Sequence, residues 1–291
     1  MVILHDPICA NFEATGHPEA PFRVVRTAAA LRAAHPGWTW REPAPGLDED
    51  ILRAHTEEHL RRMEAGVGDF DSDTPRYEDL ANHARRGVGA AVDAMSAALA
   101  GEKAFSLMRP PGHHALRDRA MGFCYYNSIA IAALAARARG VKRVAVWDFD
   151  AHHGNGTESI LHGVNGTLFV SIHQLPGWPG SGGTSFDNVL NFPIPPFAEA
   201  SDHVGSLAES WQAVLLFKPE LVLVSAGFDA YVGDPITQMS LREQDFVTLG
   251  RWLRESGLPA AAVLEGGYAK ELPALVEGFL GEWEGISDFK S

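Results

Sequence analysis

The stretch Val144-Ala-Val-Trp-Asp148-Phe-Asp150-Ala-His152-His-Gly154 joins a strongly apolar run to two carboxylates and an imidazole. Continuous apolar runs of this kind are typical of strands buried on both faces of a parallel sheet. Because successive side chains of a strand point to opposite faces, Asp148, Asp150 and His152 would share one face. Burying three ionisable groups without a metal or other partner is costly. The stretch therefore predicts a buried strand that ends in part of a metal site.

Apolar runs of the same kind recur along the chain and alternate with longer amphipathic segments. This strand–helix alternation predicts an α/β fold with a mainly parallel sheet flanked by helices on both faces. No linker-like stretch or internal repeat divides the sequence, so residues 1–291 are predicted to form a single domain. The predicted strands are 2–4, 104–108, 144–149, 168–172, 221–226 and 260–264, and the clearest predicted helices are 77–99, 128–139, 202–217 and 241–255.

The composition limits the classes of partner. The chain has 24 Lys+Arg against 37 Asp+Glu, a formal net charge of −13, whereas a general nucleic-acid binder needs a basic face. The acidic balance favours cationic partners, though only weakly. The two cysteines exclude a disulfide framework. The longest apolar run, 129–136, is too short to span a membrane, and the first residues lack a signal-peptide pattern. We expect a cytoplasmic protein that binds neither nucleic acid nor membranes.

A second motif, Ser225-Ala-Gly-Phe-Asp229, follows another apolar run. Taken alone, Asp229 is better explained as a helix cap or a turn former. In a parallel α/β sheet, however, ligands bind at the carboxyl ends of the strands, so Asp229 can reach the edge where the first motif lies. Together with Asp150 and His152 it would give the three protein ligands and the open position of a catalytic zinc site.

A third motif, Arg109-Pro-Pro-Gly-His113-His114, also follows an apolar run. Taken alone, the histidine pair is better explained as part of a surface loop. Beside a metal site, the two imidazoles would suit proton transfer, because imidazole titrates near neutral pH. Each imidazole needs an orienting partner on its second nitrogen, and Asp148 and Asn155 are the nearest candidates in the first motif.

The fourth motif, Leu264-Glu-Gly-Gly-Tyr268, comes after the last apolar run. Its glycines allow the backbone to approach a site closely, and the Tyr268 hydroxyl can act as an oxyanion donor. A tyrosine in this setting is more often only a packing residue. Tyr268 is therefore a catalytic candidate only because the other motifs accompany it.

These motifs, in this order, resemble those of the zinc-dependent histone deacetylase / acetylpolyamine amidohydrolase superfamily over nearly the whole chain. The resemblance implies the single-domain arginase/deacetylase fold and an enzyme that removes acetyl or other acyl groups from N-acyl-lysine side chains. The alternative substrate is an acetylpolyamine or another small N-acetyl amine. The matching segments are His17-Pro-Glu-Ala-Pro-Phe-Arg23, Arg109-Pro-Pro-Gly-His-His-Ala115, Gly122-Phe-Cys-Tyr-Tyr-Asn127, Asp148-Phe-Asp-Ala-His-His-Gly-Asn-Gly156, Ser225-Ala-Gly-Phe-Asp229 and Leu264-Glu-Gly-Gly-Tyr268.

The resemblance also implies the metal content. One zinc ion would be bound by Asp150, His152 and Asp229, although this type of ligand set accepts ferrous iron as well. An arginase-like pair of metals would need a carboxylate at position 154, where Gly154 stands. A buried monovalent-cation site, usually holding potassium, would lie near Asp148, Asp150, His152 and Ser171.

The same resemblance assigns catalytic roles. His114 matches the general base and acid, and His113 matches its electrostatic partner, hydrogen-bonded to Asp148. Tyr268 matches the residue that polarises the scissile carbonyl. Asn155 stands where some branches of the family have Asp, so His114 would have a neutral partner, as in the class II and bacterial branches. A non-catalytic reader of acyl-lysine would have lost one of these residues, and none is lost.

Five residues match the substrate-binding parts of the family. Gly122 and Phe123 match the wall of the acyl-lysine tunnel, and Asp73 matches a rim aspartate that grips the substrate backbone. Arg23 matches a residue of the inner cavity behind the metal. Trp178 stands where a tunnel phenylalanine is usual, so its bulk would narrow the tunnel or reshape its mouth.

The choice between the two substrate classes depends on few positions. The acidic surface would suit a polyamine. However, Ile236 follows Asp234-Pro235, where the polyamine-selective eukaryotic relative has a Glu gatekeeper. The bacterial polyamine enzymes resemble this chain around Asp234-Pro-Ile236, but they carry a long dimerising insertion, for which 291 residues leave little room. Glu265, where class I members have Gly, again indicates the class II and bacterial branches. The sequence therefore favours an acylated lysine peptide or protein as the substrate.

Overall fold

A computed structural model describes residues 1–286. Within these residues, eight strands form one sheet. All the strand pairs are parallel, in the order β2-β1-β3-β8-β7-β4-β5-β6. The sheet is therefore of the kind that the apolar runs predicted. The strands are β1 Val2–Leu4, β2 Thr39–Arg41, β3 Ala104–Ser106, β4 Val144–Asp148, β5 Thr167–Gln174, β6 Val189–Ile194, β7 Leu221–Ala226 and β8 Ala260–Leu264.

Helices flank the sheet, and this confirms the predicted fold class. One group packs α1 and α8 against α9, and a second packs α4 and α2 against α5. No helix within residues 1–286 is long and apolar enough to cross a membrane. The helices are α1 Phe22–Ala34, α2 Asp48–Ala54, α3 Glu57–Glu64, α4 Leu80–Leu99, α5 Ser128–Ala138, α6 Asn155–Leu161, α7 Ala200–Leu216, α8 Glu243–Ser256 and α9 Leu272–Glu284.

The six predicted strands are all present, with end shifts of one or two residues. The two edge strands, β2 and β6, were not predicted, for different reasons. In β2 the side chains are exposed or half-buried, so there is no apolar run to detect. β6 contains Asn191 and Pro193, which interrupt its apolar run. Proline lacks an N–H and is tolerated at the edge of a sheet, where one side of the strand needs no partner.

The order of the central strands places the four sequence motifs side by side. β3, β8, β7 and β4 are neighbours in the sheet, and all their residues are buried. Because the strands are parallel, the segments that follow them emerge at the same edge of the sheet. Each of these segments carries one of the motifs, so the sheet brings together residues that are far apart in sequence.

Candidate metal and catalytic centre

The three predicted metal ligands converge where β4 and β7 end. His152 Nδ1 lies 2.8 Å from Asp229 Oδ2 and 3.3 Å from Asp150 Oδ1. One donor atom of each residue lies within 4.8 Å of the other two. Both carboxylates are buried, whereas the His152 side chain is 16% exposed. The imidazole therefore forms the accessible side of the cluster.

Backbone amides hold the two carboxylates of this cluster. Asp150 Oδ2 accepts a hydrogen bond from the Gly266 N–H at 2.7 Å, and Asp229 Oδ1 accepts one from the Ala151 N–H at 2.8 Å. A Cβ at Gly266 would come within 2.4 Å of Asp229 Oδ2, so only glycine allows this approach. Burial and the neighbouring Asp150 raise the pKa of Asp229. Two buried carboxylates and an imidazole fit a zinc ion, which would compensate their charge.

The two adjacent histidines have different partners. His113 Nδ1 donates to Asp148 Oδ2 at 3.0 Å, and His114 Nδ1 donates to Asn155 Oδ1 at 2.8 Å. Burial lowers the pKa of His113, but Asp150 and Asp148 outweigh it and raise the pKa to about 10. Burial and the adjacent His113 lower the pKa of His114 well below its ordinary value. Near neutral pH the pair therefore combines an imidazolium with a neutral imidazole.

Tyr268 lines the cavity that leads to the cluster and is 8% exposed. Its backbone N–H donates to Asp234 Oδ2 at 2.8 Å, and the Arg23 guanidinium lies 4.8 Å from its ring centroid. Burial raises the pKa of the Tyr268 phenol well above its ordinary value. The hydroxyl therefore stays protonated and is available as a hydrogen-bond donor.

A cavity of about 390 Å³ joins these groups to the surface. It contains four of the five predicted substrate-binding residues. Trp178 meets the His114 ring edge-on at 4.5 Å and lies so close to Gly122 that a Cβ there would be 2.3 Å from the indole. The tryptophan therefore forms the cavity wall beside His114. The lining residues are His17, Pro18, Asp73, His114, Gly122, Phe123, His152, Trp178, Ile236 and Tyr268.

Arg23, the fifth predicted substrate-binding residue, is fully buried behind Tyr268 and is not among the residues that line the cavity. Its Nε donates to the Gly267 carbonyl at 2.8 Å, and its Nη2 donates to the Glu265 carbonyl. Because these carbonyls belong to the segment just before Tyr268, Arg23 fixes the backbone that carries the tyrosine. The structure thus places this residue in a network of supporting contacts.

Glu19 lies within the matched N-terminal segment but was not predicted as a functional residue. Glu19 is 2% exposed, and its carboxylate binds two fully buried arginines. Arg23 Nη1 donates to it at 3.1 Å, and Arg109 Nη2 donates at 2.8 Å. Burial raises the pKa of Glu19, but Arg109 and Arg23 outweigh it and lower the pKa, so the carboxylate is charged. The sequence signal for this pair is a Glu four residues before an Arg, the spacing of neighbours on a helix face.

Glu19→Ala is expected to destabilise the fold by about 3–5 kcal/mol, because it leaves two buried guanidinium groups without their counter-charge. Urea unfolding would measure the loss. Glu209→Ala, on the exposed face of α7, is the matched control and should change the free energy of unfolding by less than about 0.5 kcal/mol. Equal stability of the two variants would show that the arginines do not depend on Glu19.

Ser171, predicted to take part in a potassium site, is buried on β5 directly opposite Asp148 on β4. Its hydroxyl is 2.9 Å from His173 Nδ1. The structure therefore places Ser171 next to the first carboxylate of the β4 motif, on the side of the strand away from β7.

The site thus combines three potential metal ligands with a histidine pair and a tyrosine beside a cavity. These are the groups that metal-assisted hydrolysis of an amide requires. Residues 17–280 match the profile of the "Histone deacetylase domain" family. The chain is 37% identical over 283 residues to a histone deacetylase-like amidohydrolase of Pseudomonas aeruginosa, covering 88% of this chain and 74% of that protein.

Two solved structures have the same fold. The HD domain of HDA15 superimposes with a TM-score of 0.92 at 29% identity, covering 98% of this chain and 91% of that chain. An acetylpolyamine aminohydrolase from Burkholderia pseudomallei gives a TM-score of 0.86 at 28% identity, and the match covers 98% of this chain and 99% of that chain. The chain belongs to the histone deacetylase family and is a hydrolytic deacetylase of the amidohydrolase type. The resemblance found in the sequence is confirmed.

Proposed function

We propose that the chain is a zinc-dependent enzyme that removes acetyl, or other acyl, groups from N-acyl-lysine side chains, with residues 1–291 as one catalytic domain. The observation that carries the proposal is the convergence of Asp150, His152 and Asp229 beside His114 and Tyr268 at the base of one cavity. The family match supports the class of reaction, and the cavity between Phe123 and Trp178 supports a substrate with an aliphatic side chain.

Asp150, His152 and Asp229 would hold the zinc ion. Zinc bound there supplies Lewis-acid chemistry that polarises a carbonyl and makes water more acidic. The ligand arrangement leaves one side open, because His152 faces the cavity and both carboxylates are buried behind it.

In addition, Asp148, Asp150, His152 and Ser171 would bind a structural potassium ion. The oxygens of Asp148 and Ser171, buried on adjacent strands, suit a hard cation.

The protein's own groups would move the protons. His114 Nδ1 is engaged by Asn155, so Nε2 is the nitrogen available to take a proton from water and return it to the leaving amine. Its lowered pKa keeps it neutral and ready to accept. His113, held by Asp148, would keep its positive charge and stabilise the negative charge that develops nearby.

Tyr268 and the cavity walls would position the amide. The protonated Tyr268 hydroxyl would donate to the carbonyl oxygen as its charge grows. Phe123 and Trp178 would enclose the aliphatic part of the substrate and exclude water. Asp73, exposed at the rim, would accept hydrogen bonds from the substrate backbone.

An acetylpolyamine or another small N-acetyl amine is the second candidate substrate. The net charge of −13 and the likeness to the Burkholderia pseudomallei acetylpolyamine aminohydrolase favour it. Ile236, an apolar residue, lines the cavity after Asp234-Pro235. This part of the cavity therefore lacks a carboxylate at position 236 to pair with a substrate ammonium, which favours the acyl-lysine proposal.

A comparison of substrates tests the proposal. We expect purified protein to hydrolyse acetyl-lysine peptides faster than acetylputrescine and acetylspermidine, to lose this activity with a chelator, and to regain it with Zn²⁺. Rates after adding Zn²⁺ or Fe²⁺ to metal-free protein would identify the more active metal. Efficient hydrolysis of polyamines without peptide hydrolysis would overturn the proposed substrate class, and chelator-resistant activity would overturn the metal.

A further inference from the structure

Glu265 is a fully buried carboxylate with no assigned role in the mechanism above. Its Oε2 accepts hydrogen bonds from the Gly112 N–H at 2.7 Å and the His113 N–H at 3.2 Å. Its Oε1 accepts the Ser225 hydroxyl at 3.4 Å. A side chain that follows β8 therefore binds the backbone of the loop that follows β3, at the histidine pair itself.

The backbone around Glu265 is tied to the other side of the centre. The next residue, Gly266, donates its N–H to Asp150 Oδ2 at 2.7 Å. The Glu265 carbonyl accepts from Arg23, and Tyr268 follows three residues later. The segment 265–268 thus contacts a metal ligand, the supporting arginine and, through the Glu265 side chain, the histidine loop.

Glu265 also lies within 4.8 Å of donor atoms of His113 and Cys124, a grouping that could suggest a second metal site. The hydrogen bonds argue against this. His113 Nδ1 is already bonded to Asp148, and Glu265 Oε2 already accepts two backbone N–H groups. The grouping is better explained as a hydrogen-bonded support than as an ion site.

We propose that Glu265 is a positioning residue that fixes the distance between the loop carrying His113 and His114 and the loop carrying Tyr268. The proposal rests on the roles proposed above for these three residues. The N–H groups of Gly112 and His113 belong to the backbone that carries the two imidazoles. A shorter side chain at position 265 would lose these hydrogen bonds and let the histidine loop shift relative to Tyr268. A misplacement of about 1 Å can lower a rate by about 10²-fold.

Two conservative variants separate hydrogen bonding from charge. Glu265→Gln keeps the side-chain length: its oxygen can accept both N–H groups, and its NH₂ can donate to Ser225 Oγ, but it cannot carry a negative charge. Glu265→Asp keeps a carboxylate but is one methylene shorter, so it cannot reach the same two N–H groups. A positioning role therefore predicts a higher kcat for Glu265→Gln than for Glu265→Asp. An electrostatic role predicts the reverse order of kcat.

The measurements are kcat and KM on an acetyl-lysine peptide, zinc content and thermal stability. We expect Glu265→Gln to keep kcat within about threefold, and Glu265→Asp to lose roughly 10²-fold in kcat with KM and zinc content little changed. A Glu265→Asp enzyme with wild-type kcat, or the reverse ranking, would overturn the proposal. If Glu265→Asp does not fold, Glu265→Gln decides alone, since a 10²-fold loss there would establish a charge role.

Wild-type and Tyr268→Phe enzymes measured in parallel distinguish this proposal from the proposed function. An active wild type with an impaired Tyr268→Phe variant and an unimpaired Glu265→Asp variant would refute only the role of Glu265. Unimpaired Tyr268→Phe would instead refute the proposed mechanism.

Discussion

Tyr268→Phe is expected to lower kcat by about 10²–10³-fold while the protein keeps its fold and its capacity to bind metal, because the variant would lose the proposed donor to the developing oxyanion. The ring would stay in place, since Tyr268 is anchored by its backbone N–H on Asp234 and by the Arg23 guanidinium over its face. Steady-state kinetics on an acetyl-lysine peptide, with zinc content measured on the same sample, would show the loss in kcat rather than in metal binding.

Tyr126→Phe is the matched control for this experiment. Tyr126 is also buried, and its hydroxyl has no hydrogen-bond partner among residues 1–286. Its ring packs on His55 and His59, away from the cavity. Tyr126→Phe should therefore keep normal turnover. Near-normal turnover of Tyr268→Phe would remove the Tyr268 hydroxyl from the mechanism.

Asp229→Asn is expected to abolish measurable activity, a loss of at least about 10³-fold, because a zinc ion held as proposed would contribute several kcal/mol to stabilising the transition state. The amide oxygen of Asn can still accept the Ala151 N–H that Asp229 Oδ1 accepts now. The local backbone is therefore preserved while the anionic ligand is lost. Metal analysis after dialysis should show little zinc in the variant, and a thermal melt should show a folded protein.

Asp187→Asn serves as the control for the loss of a carboxylate. Asp187 is exposed and has a φ of 48°, a backbone conformation that Asn adopts readily. Full zinc content and activity are expected for this variant. If Asp229→Asn bound zinc and turned over like wild type, Asp229 would not be a ligand.

The sequence predicted the central strands and the groups at their ends because both produce strong local patterns. Strands such as β4 and β7 are buried throughout and therefore appear as continuous apolar runs. Motifs directly after such runs must meet at one edge of a parallel sheet, so the cluster of Asp150, His152 and Asp229 could be anticipated without coordinates.

The contacts that support the centre could not be predicted in the same way. Glu19 and Glu265 look like ordinary charged residues in the sequence, and only the fold shows that each is buried against partners about 90 to 150 positions away. The edge strand β2 was missed because its pairing with β1 leaves no apolar pattern. Long-range pairing of polar groups has no local signature, unlike the periodicity of a buried strand.

The central position of β3, β8, β7 and β4 has a consequence for how chains of this kind can vary in length. The residues of the proposed centre follow the middle strands of the sheet. The edge strands β2 and β6 contribute no candidate metal ligand. Extra segments or missing turns can therefore accumulate along the flanks without moving the reacting groups. A strand added to the sheet between two of these middle strands would instead separate residues that must touch, so differences among relatives should concentrate at the periphery.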